Sequence, residues 1–122
     1  MFSFVSRMYG RLFSPIKPES FWKDRKVVAD LAISPIGTGP SMSSYVRTCG
    51  EILAKPQYHL KTTMHAFGTN VEGSLNDIEG AVRDCIETLH RQKVPRVSAT
   101  LTISSRIDKQ QSLKDRMRIA SN

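Results

Sequence analysis

The sequence of 122 residues has few cysteines, few histidines and no long apolar run. Its two cysteines, Cys49 and Cys85, lie in stretches with helical spacing of apolar residues, which favours buried thiols in a reducing compartment over a structural disulfide. No apolar stretch approaches the ~20 residues that a membrane-spanning helix needs. No His, Cys or acidic residues recur at the spacing of metal ligands, so we expect no metal and no cofactor.

The positive charge is concentrated near the N-terminus. The net charge is +7, and residues 1–26 contain six basic and two acidic residues, which leaves the remainder only mildly basic. This basic, acid-poor and amphipathic segment has the composition of a mitochondrial presequence, while a disordered extension is the other interpretation. We expect an N-terminal extension over residues 1–26 and one domain over residues 27–122. The expected location is the cytoplasm, or mitochondria if the extension is a presequence.

Apolar periodicity predicts six main elements and a short tail helix. Period-two alternation predicts strands over residues 27–34, 58–66, 68–73 and 96–105. Helical spacing predicts one helix that begins near Ser41, Ser43 or Ser44 and ends before Pro56, a second over residues 74–93, and a short basic one over residues 112–120. The order βαββαβ predicts an α+β ferredoxin-like sandwich, with two helices on one face of an antiparallel sheet and a short C-terminal helix.

The same alternation predicts that the sheet face away from the two main helices is small and polar. It carries Val28, Asp30, Ala32, Ser34, Thr63, His65, Asn70, Glu72, Ser98, Thr100, Thr102 and Ser104. Such a face is solvated, packed on another subunit or used for a ligand. We favour packing in a homodimer or homotetramer, because a two-fold axis places the same face on both sides of an interface.

The stretch MHAFGTNVEGS, residues 64–74, has the densest set of polar side chains suited to binding. Two predicted strands meet there across Phe67 and Gly68, and the stretch includes an imidazole, a carboxylate and several neutral polar groups. We interpret it as part of a site that binds a small molecule without transforming it. No Ser-His-Asp or Cys-His set is evident, and the glycines at 37 and 39 do not form a phosphate-binding Walker pattern.

Three stretches resemble the small thiamine-binding protein family, relatives of the YkoF-like binders of thiamine and hydroxymethylpyrimidine. They are AISPIGT at 32–38, MHAFGTNVEG at 64–73, and RV at 96–97 leading through the last strand to SRIDK at 105–109. The resemblance covers about residues 27–120. It implies a ferredoxin-like fold, sheet-mediated dimers and often dimers of dimers. It also implies binding of thiamine or its pyrimidine half as a ligand, with no catalysis.

A thiamine site needs a carboxylate for the cationic ring, neutral hydrogen-bonding groups for the pyrimidine edge and an apolar wall. The expected ligand-binding residues are Ile36, Gly37, Thr38, His65, Phe67, Gly68, Thr69, Asn70 and Glu72. Glu72 would supply the charge, although a solvated side chain is its other interpretation. Arg106 and Asp108 are expected to pair with each other or with a neighbouring subunit.

The alternative function is an RRM-like or non-specific basic nucleic-acid-binding module, because RRM domains share the predicted topology. Those domains stack bases on aromatic residues of their central strands, and the predicted open face has no aromatic residue. Acylphosphatases also share the fold, but their anion-binding loop needs an arginine, which the loop PIGTGP at 35–40 lacks. We therefore expect neither a specific nucleic-acid partner nor enzymatic activity.

Overall fold

A computed structural model describes residues 25–39, 42–110 and 112–121. Nearly all of the predicted N-terminal extension, and Ser41 as a candidate helix cap, lie outside the described residues. The elements are β1 (Lys26–Ile36), α1 (Ser43–Leu53), a 3₁₀ turn (Pro56–Tyr58), β2 (Lys61–His65), β3 (Gly68–Ser74), α2 (Leu75–Arg91), β4 (Arg96–Ser104) and α3 (Leu113–Ser121). Within these ranges, none of the helices has the length and apolar content needed to cross a bilayer.

The four strands form one antiparallel sheet in the order β2-β3-β1-β4. This topology confirms the predicted ferredoxin-like α+β fold. Alternate residues of β1 point toward α1 and α2, and Val27, Ala29 and Leu31 are buried there with Val71 of β3. The helices contribute most of the rest of the core, namely Cys49, Ile52 and Leu53 from α1 and Ile78, Ala81, Cys85 and Leu89 from α2, and Val94 between α2 and β4 completes it.

The two cysteines face each other between α1 and α2 as free, buried thiols. The Sγ atom of Cys85 lies 3.9 Å from the carbonyl oxygen of Cys49. Interaction with the Cys49 thiol and burial raise the pKa of Cys85 well above its ordinary value. Cys85 therefore stays protonated and acts as a packing residue of the core.

The segment before β2 differs from the strand predicted from residue 58. Pro56–Tyr58 forms a 3₁₀ turn, and His59 adopts a left-handed conformation with φ of 52°. The cause is a contact with α2, because the Tyr58 hydroxyl donates a hydrogen bond of 2.9 Å to Asp84. Lys55 also lies 2.9 Å from this carboxylate, and the Lys55 and Tyr58 hydrogen bonds lower the pKa of Asp84. Tertiary contact thus overrides the local alternation.

The C-terminal helix α3 lies against the sheet face opposite α1 and α2. Its first residue, Leu113, is buried, and its backbone N–H donates a hydrogen bond of 3.3 Å to Oε1 of Glu72. One turn later, the Arg116 guanidinium donates a hydrogen bond of 2.9 Å to the Ser104 hydroxyl. The chain's own helix therefore covers part of the face that was expected to be solvated, packed on another subunit or used for a ligand.

Candidate ligand-binding site

A cavity of about 280 Å³ opens where β1 extends beyond the β2–β3 hairpin. One wall is the end of β1, Leu31–Pro35, and the opposite wall is the hairpin, Met64–Thr69. Tyr45 and Cys49 of α1 close the cavity on the core side. Of the described residues that line it, none is an aspartate, glutamate, lysine or arginine. The interior therefore suits a neutral, flat and largely apolar group.

Four exposed apolar side chains surround the opening. Met42 and Val46 are on the α1 side, and Met64 and Phe67 are on the hairpin side. Phe67 is the most exposed of them, at 88%. Single exposed apolar residues are ordinary, but a cluster around one opening is typical of a binding site.

His65 stands at the hairpin wall with both ring nitrogens engaged. Its Nε2 lies 2.5 Å from Oδ1 of Asp30 on β1, and its Nδ1 accepts a hydrogen bond of 3.2 Å from the backbone N–H of Phe67. In the neutral ring, these partners assign the proton to Nε2, which donates to the Asp30 carboxylate. His65 thus fixes the turn at Phe67, and both of its ring nitrogens already have partners within the chain.

Four of the predicted site residues line the cavity, namely His65, Phe67, Gly68 and Thr69. Gly68 is required by the close approach of the hairpin to β1. A Cβ atom at this position would lie 2.6 Å from the carbonyl oxygen of Leu31. A larger residue would push the hairpin away from β1 and change the shape of the cavity.

The predicted residues Ile36, Gly37 and Thr38 follow the cavity wall in sequence and do not line the cavity. Gly37 has φ of +88°, and a Cβ atom there would lie 2.9 Å from the Pro95 ring, so glycine is favoured for both reasons. The hydroxyl oxygen of Thr38 is buried and has no hydrogen-bond partner among the residues described.

Asn70 and Glu72 also lie outside the cavity lining. Asn70 is paired with Asp30 on one side and Thr63 on the other, on the face opposite α1 and α2. Glu72 is only 5% exposed, since its carboxylate accepts the Leu113 N–H and lies 3.9 Å from Nζ of Lys61. The structure thus places this acid beneath the N-terminus of α3, and a ligand contact by Glu72 stays a prediction.

Arg106 and Asp108 pair with each other within one chain. The Nε atom of Arg106 lies 2.7 Å from Oδ1 of Asp108, and Nη2 contacts Oδ2. This guanidinium lowers the pKa of Asp108 to about 2. The Arg106 carbonyl also accepts a hydrogen bond of 3.0 Å from Nε of Arg25. This second hydrogen bond joins the residue before β1 to the segment after β4.

Sequence reasoning missed the α1 side of the cavity and the Met42 and Met64 rim. The helical stripe that includes Tyr45 and Cys49 was assigned to the core, and both residues do pack there while also lining the cavity. The signal was present in the sequence as large apolar residues at positions 42, 46 and 64. Positions 42 and 46 lie outside the apolar stripe of α1, and position 64 lies on the exposed edge strand β2.

The fold and the cavity define a ferredoxin-like α+β domain with a small-molecule-sized opening at the hairpin. A model of the thiamine-binding protein family matches residues 29–120. Among curated relatives, the UPF0045 protein sll0230 of Synechocystis is 35% identical over 96 residues, which are 79% of this chain and 78% of that protein. The UPF0045 protein MJ1052 of Methanocaldococcus jannaschii is 37% identical over 94 residues, 77% of this chain and 91% of that one. The chain belongs to the thiamine-binding protein family.

Solved structures agree with this assignment. The crystal structure of MJ1052, described as a hypothetical protein, superposes with a TM-score of 0.72 at 35% identity and covers 80% of this chain and 97% of that one. A Thermotoga maritima protein assigned provisionally to thiamine biosynthesis or salvage has a TM-score of 0.66 at 17% identity, covering 78% of this chain and 98% of that one. At that identity, the second likeness shows the fold alone.

Proposed function

We propose that the protein binds thiamine or its pyrimidine moiety, hydroxymethylpyrimidine, without transforming it. The observation that carries the proposal is the apolar cavity of about 280 Å³ at the hairpin, in a chain that belongs to the thiamine-binding protein family. Ligand cavities of ~300–1,000 Å³ are typical for small molecules, so this one is near the lower limit. A single substituted pyrimidine suits it better than a whole extended ligand.

The charge distribution suggests how the two halves of thiamine would lie. The neutral pyrimidine enters the cavity, where no charged side chain of the described lining has to be desolvated. The cationic thiazolium stays at the opening, beside the exposed Phe67 ring, where a cation–π contact is available. The Asp30 carboxylate, which His65 contacts on the opposite face of the sheet, adds a negative charge near the hairpin.

The proposed ligand contacts are His65, Phe67, Gly68 and Thr69 on the hairpin. Ile36, which ends β1, and the loop residues Gly37 and Thr38 border the site, because they directly continue the β1 wall. Asn70 and Glu72 were predicted from their place in the same motif, and ligand titration of Glu72→Gln tests the contact by Glu72. Nothing in the proposed binding mode requires a covalent step, so no catalysis is proposed.

Thermal unfolding with added ligand tests the proposal. A ligand at ~100 times its dissociation constant should stabilise the native state by ~2.7 kcal/mol. We expect this stabilisation with hydroxymethylpyrimidine or thiamine, and expect Phe67→Ala to lose it while its own Tm stays unchanged. Met117→Ala is the control, since Met117 is also an exposed apolar residue but lies on α3 and does not line the cavity. If a folded sample gains no stability with thiamine, its phosphates or the pyrimidine, the proposal fails.

We also propose that the protein is a homodimer or homotetramer through the part of the sheet face that α3 leaves uncovered. Thr100 and Thr102 of β4 lie on this face beside Ala32 and Asp30 of β1, and both threonines are exposed. Light scattering should give a multiple of the 13.7 kDa chain mass. Thr100→Arg should reduce that mass, because it places like charges opposite each other across a two-fold axis. A stable wild-type monomer would contradict this proposal.

A further inference from the structure

The wall of the cavity formed by β1 is an unpaired strand edge. On one side, β4 pairs with β1 from Val28 to Ile36. On the other side, β3 pairs with β1 only as far as Leu31, which faces Thr69. The hairpin turns back at Ala66 and Phe67, so within residues 25–39, 42–110 and 112–121 the next residues of β1 have no strand partner on that side.

The position of Gly68 shows which backbone groups point to this edge. The Leu31 carbonyl oxygen would lie 2.6 Å from a Cβ atom on Gly68, so this carbonyl points from β1 toward β3. In a strand, the N–H and C=O of one residue point to the same edge, and successive residues alternate between the two edges. The N–H and C=O of Ile33 therefore also point toward the hairpin, where no strand of the described part of the chain receives them.

The cavity lining supports the same geometry. Its β1 wall consists of five consecutive residues, Leu31–Pro35. Side chains of a strand alternate between opposite faces, so five consecutive residues share a wall only through their backbone edge. Pro35, the next residue with this orientation, has no N–H, so Ile33 supplies the last backbone donor of the strand on this edge.

We infer that the N–H and C=O of Ile33 are the hydrogen-bonding groups that recognise the ligand. They form an adjacent donor and acceptor at the wall of an apolar cavity. The complementary ligand edge is a ring nitrogen that accepts beside an exocyclic amine that donates, the arrangement of an aminopyrimidine. The inference rests on the proposed function and deepens it, since it places specificity for the amine on the backbone of β1 and not on a carboxylate. Because a backbone pair carries no net charge, it suits the neutral pyrimidine.

A backbone ester tests the inference without changing any side chain. Replacing Ile33 by its α-hydroxy acid removes one N–H and keeps the strand geometry. Ala99 of β4 provides the matched control. It is directly opposite Ile33, and since Ile33 points away from β4, the Ala99 N–H points to the outer edge of the sheet, away from the cavity. We expect the ester at 33 to weaken hydroxymethylpyrimidine binding by about tenfold, the loss typical of one buried hydrogen bond, and the ester at 99 to leave it unchanged.

Amide NMR provides a second measurement on the unmodified chain. The Ile33 amide proton should shift downfield and exchange more slowly when the pyrimidine is added, while the Ala32 amide, which pairs with β4, should change less. A pyrimidine that lacks the amine should bind about tenfold more weakly.

The outcomes separate this inference from the proposed function. Binding of the pyrimidine with an unaffected Ile33 ester and amide overturns the inference and leaves the proposed function standing. Binding of simple aminopyrimidines at Ile33, without binding of thiamine or hydroxymethylpyrimidine, supports the inference and removes the thiamine assignment. If none of these compounds binds the folded wild-type protein, both are overturned.

Discussion

Glu72 offers the sharpest test of how the C-terminal helix is held. Its carboxylate is 5% exposed and accepts the N–H of Leu113, the first residue of α3. An acid at a helix N-terminus caps an unpaired donor and interacts favourably with the helix dipole. Glu72→Ala removes both effects, and we expect it to detach or fray α3 without disrupting the core.

The expected magnitude follows from these two contacts. Loss of a capping acceptor costs about 0.5–2 kcal/mol, and loss of the charge–dipole interaction costs about 0.3–1 kcal/mol. The Lys61 contact adds little, because that side chain is 76% exposed. Together these effects lower the free energy of unfolding by about 1–2 kcal/mol, which shifts the Tm of a domain of this size by roughly 5–15 °C. Glu72→Gln keeps a neutral acceptor and should lose about half as much.

Thermal unfolding and amide hydrogen exchange measure this effect. Exchange should increase over residues 113–121 and stay unchanged in α2. Glu79→Ala is the matched control, because Glu79 is an exposed glutamate on α2 and its substitution should stay within about 0.5 kcal/mol of wild type. If Glu72→Ala keeps the wild-type Tm and the wild-type protection of α3, the assigned role of Glu72 is wrong. Ligand titration of Glu72→Gln, at a temperature well below the Tm of this variant, tests the ligand contact predicted from sequence. If Glu72 contacts the ligand, the variant should lose affinity.

Three further substitutions test other parts of the account. Asp84→Asn should lower the free energy of unfolding by about 1 kcal/mol at neutral pH. Because the fold lowers the pKa of Asp84, the stabilisation by its carboxylate is present above the pKa of an unfolded aspartate and is lost as the pH falls through the folded-state pKa. The difference in denaturation midpoint between wild type and Asp84→Asn should therefore vanish in acid. Asp30→Ala should speed amide exchange at Phe67 and weaken ligand binding several-fold, since His65 loses its anchor; unchanged exchange there contradicts the assigned role. Cys85→Ser should cost about 1–3 kcal/mol in chemical denaturation, because it buries a hydroxyl in an apolar site, and an equally stable variant would refute that burial.

The order and type of the elements were predictable because each has a clear apolar period. Val27, Ala29 and Leu31 alternate along β1, and the spacing from Ile78 to Leu89 marks α2. The start of this helix was predicted at residue 74, and the Ser74 hydroxyl caps it by accepting the Asp77 N–H at 3.1 Å. These features depend on neighbours in sequence, which is the information that a single chain provides.

Features set by long-range contacts were not predictable. The turn before β2 depends on Asp84, which is 26 residues from Tyr58. Likewise, the environment of Glu72 depends on Leu113, which is 41 residues away, and strand alternation alone left this side chain facing outward. The cavity itself arises because β1 extends beyond the end of the hairpin, and periodicity does not encode where one strand stops relative to its neighbour.

The hairpin site was predicted in part. His65, Phe67, Gly68 and Thr69 line the cavity, because the turn that joins two strands was identifiable from Phe67 and Gly68. Asn70 was assigned to the same site by sequence proximity, although alternate strand residues face opposite sides of the sheet. As neighbours in one strand, Asn70 points to the face opposite the helices and Thr69 points to the cavity side.

The central claim is that the cavity between the end of β1 and the Phe67 hairpin holds a flat heterocycle. A crystal structure of the protein with hydroxymethylpyrimidine tests it most directly. The account predicts one ring between Ile33 and Phe67, beneath Tyr45, with its amine directed at the β1 backbone. Density for the ligand elsewhere, or a cavity filled by the Met42, Met64 and Phe67 side chains in every subunit, would contradict it.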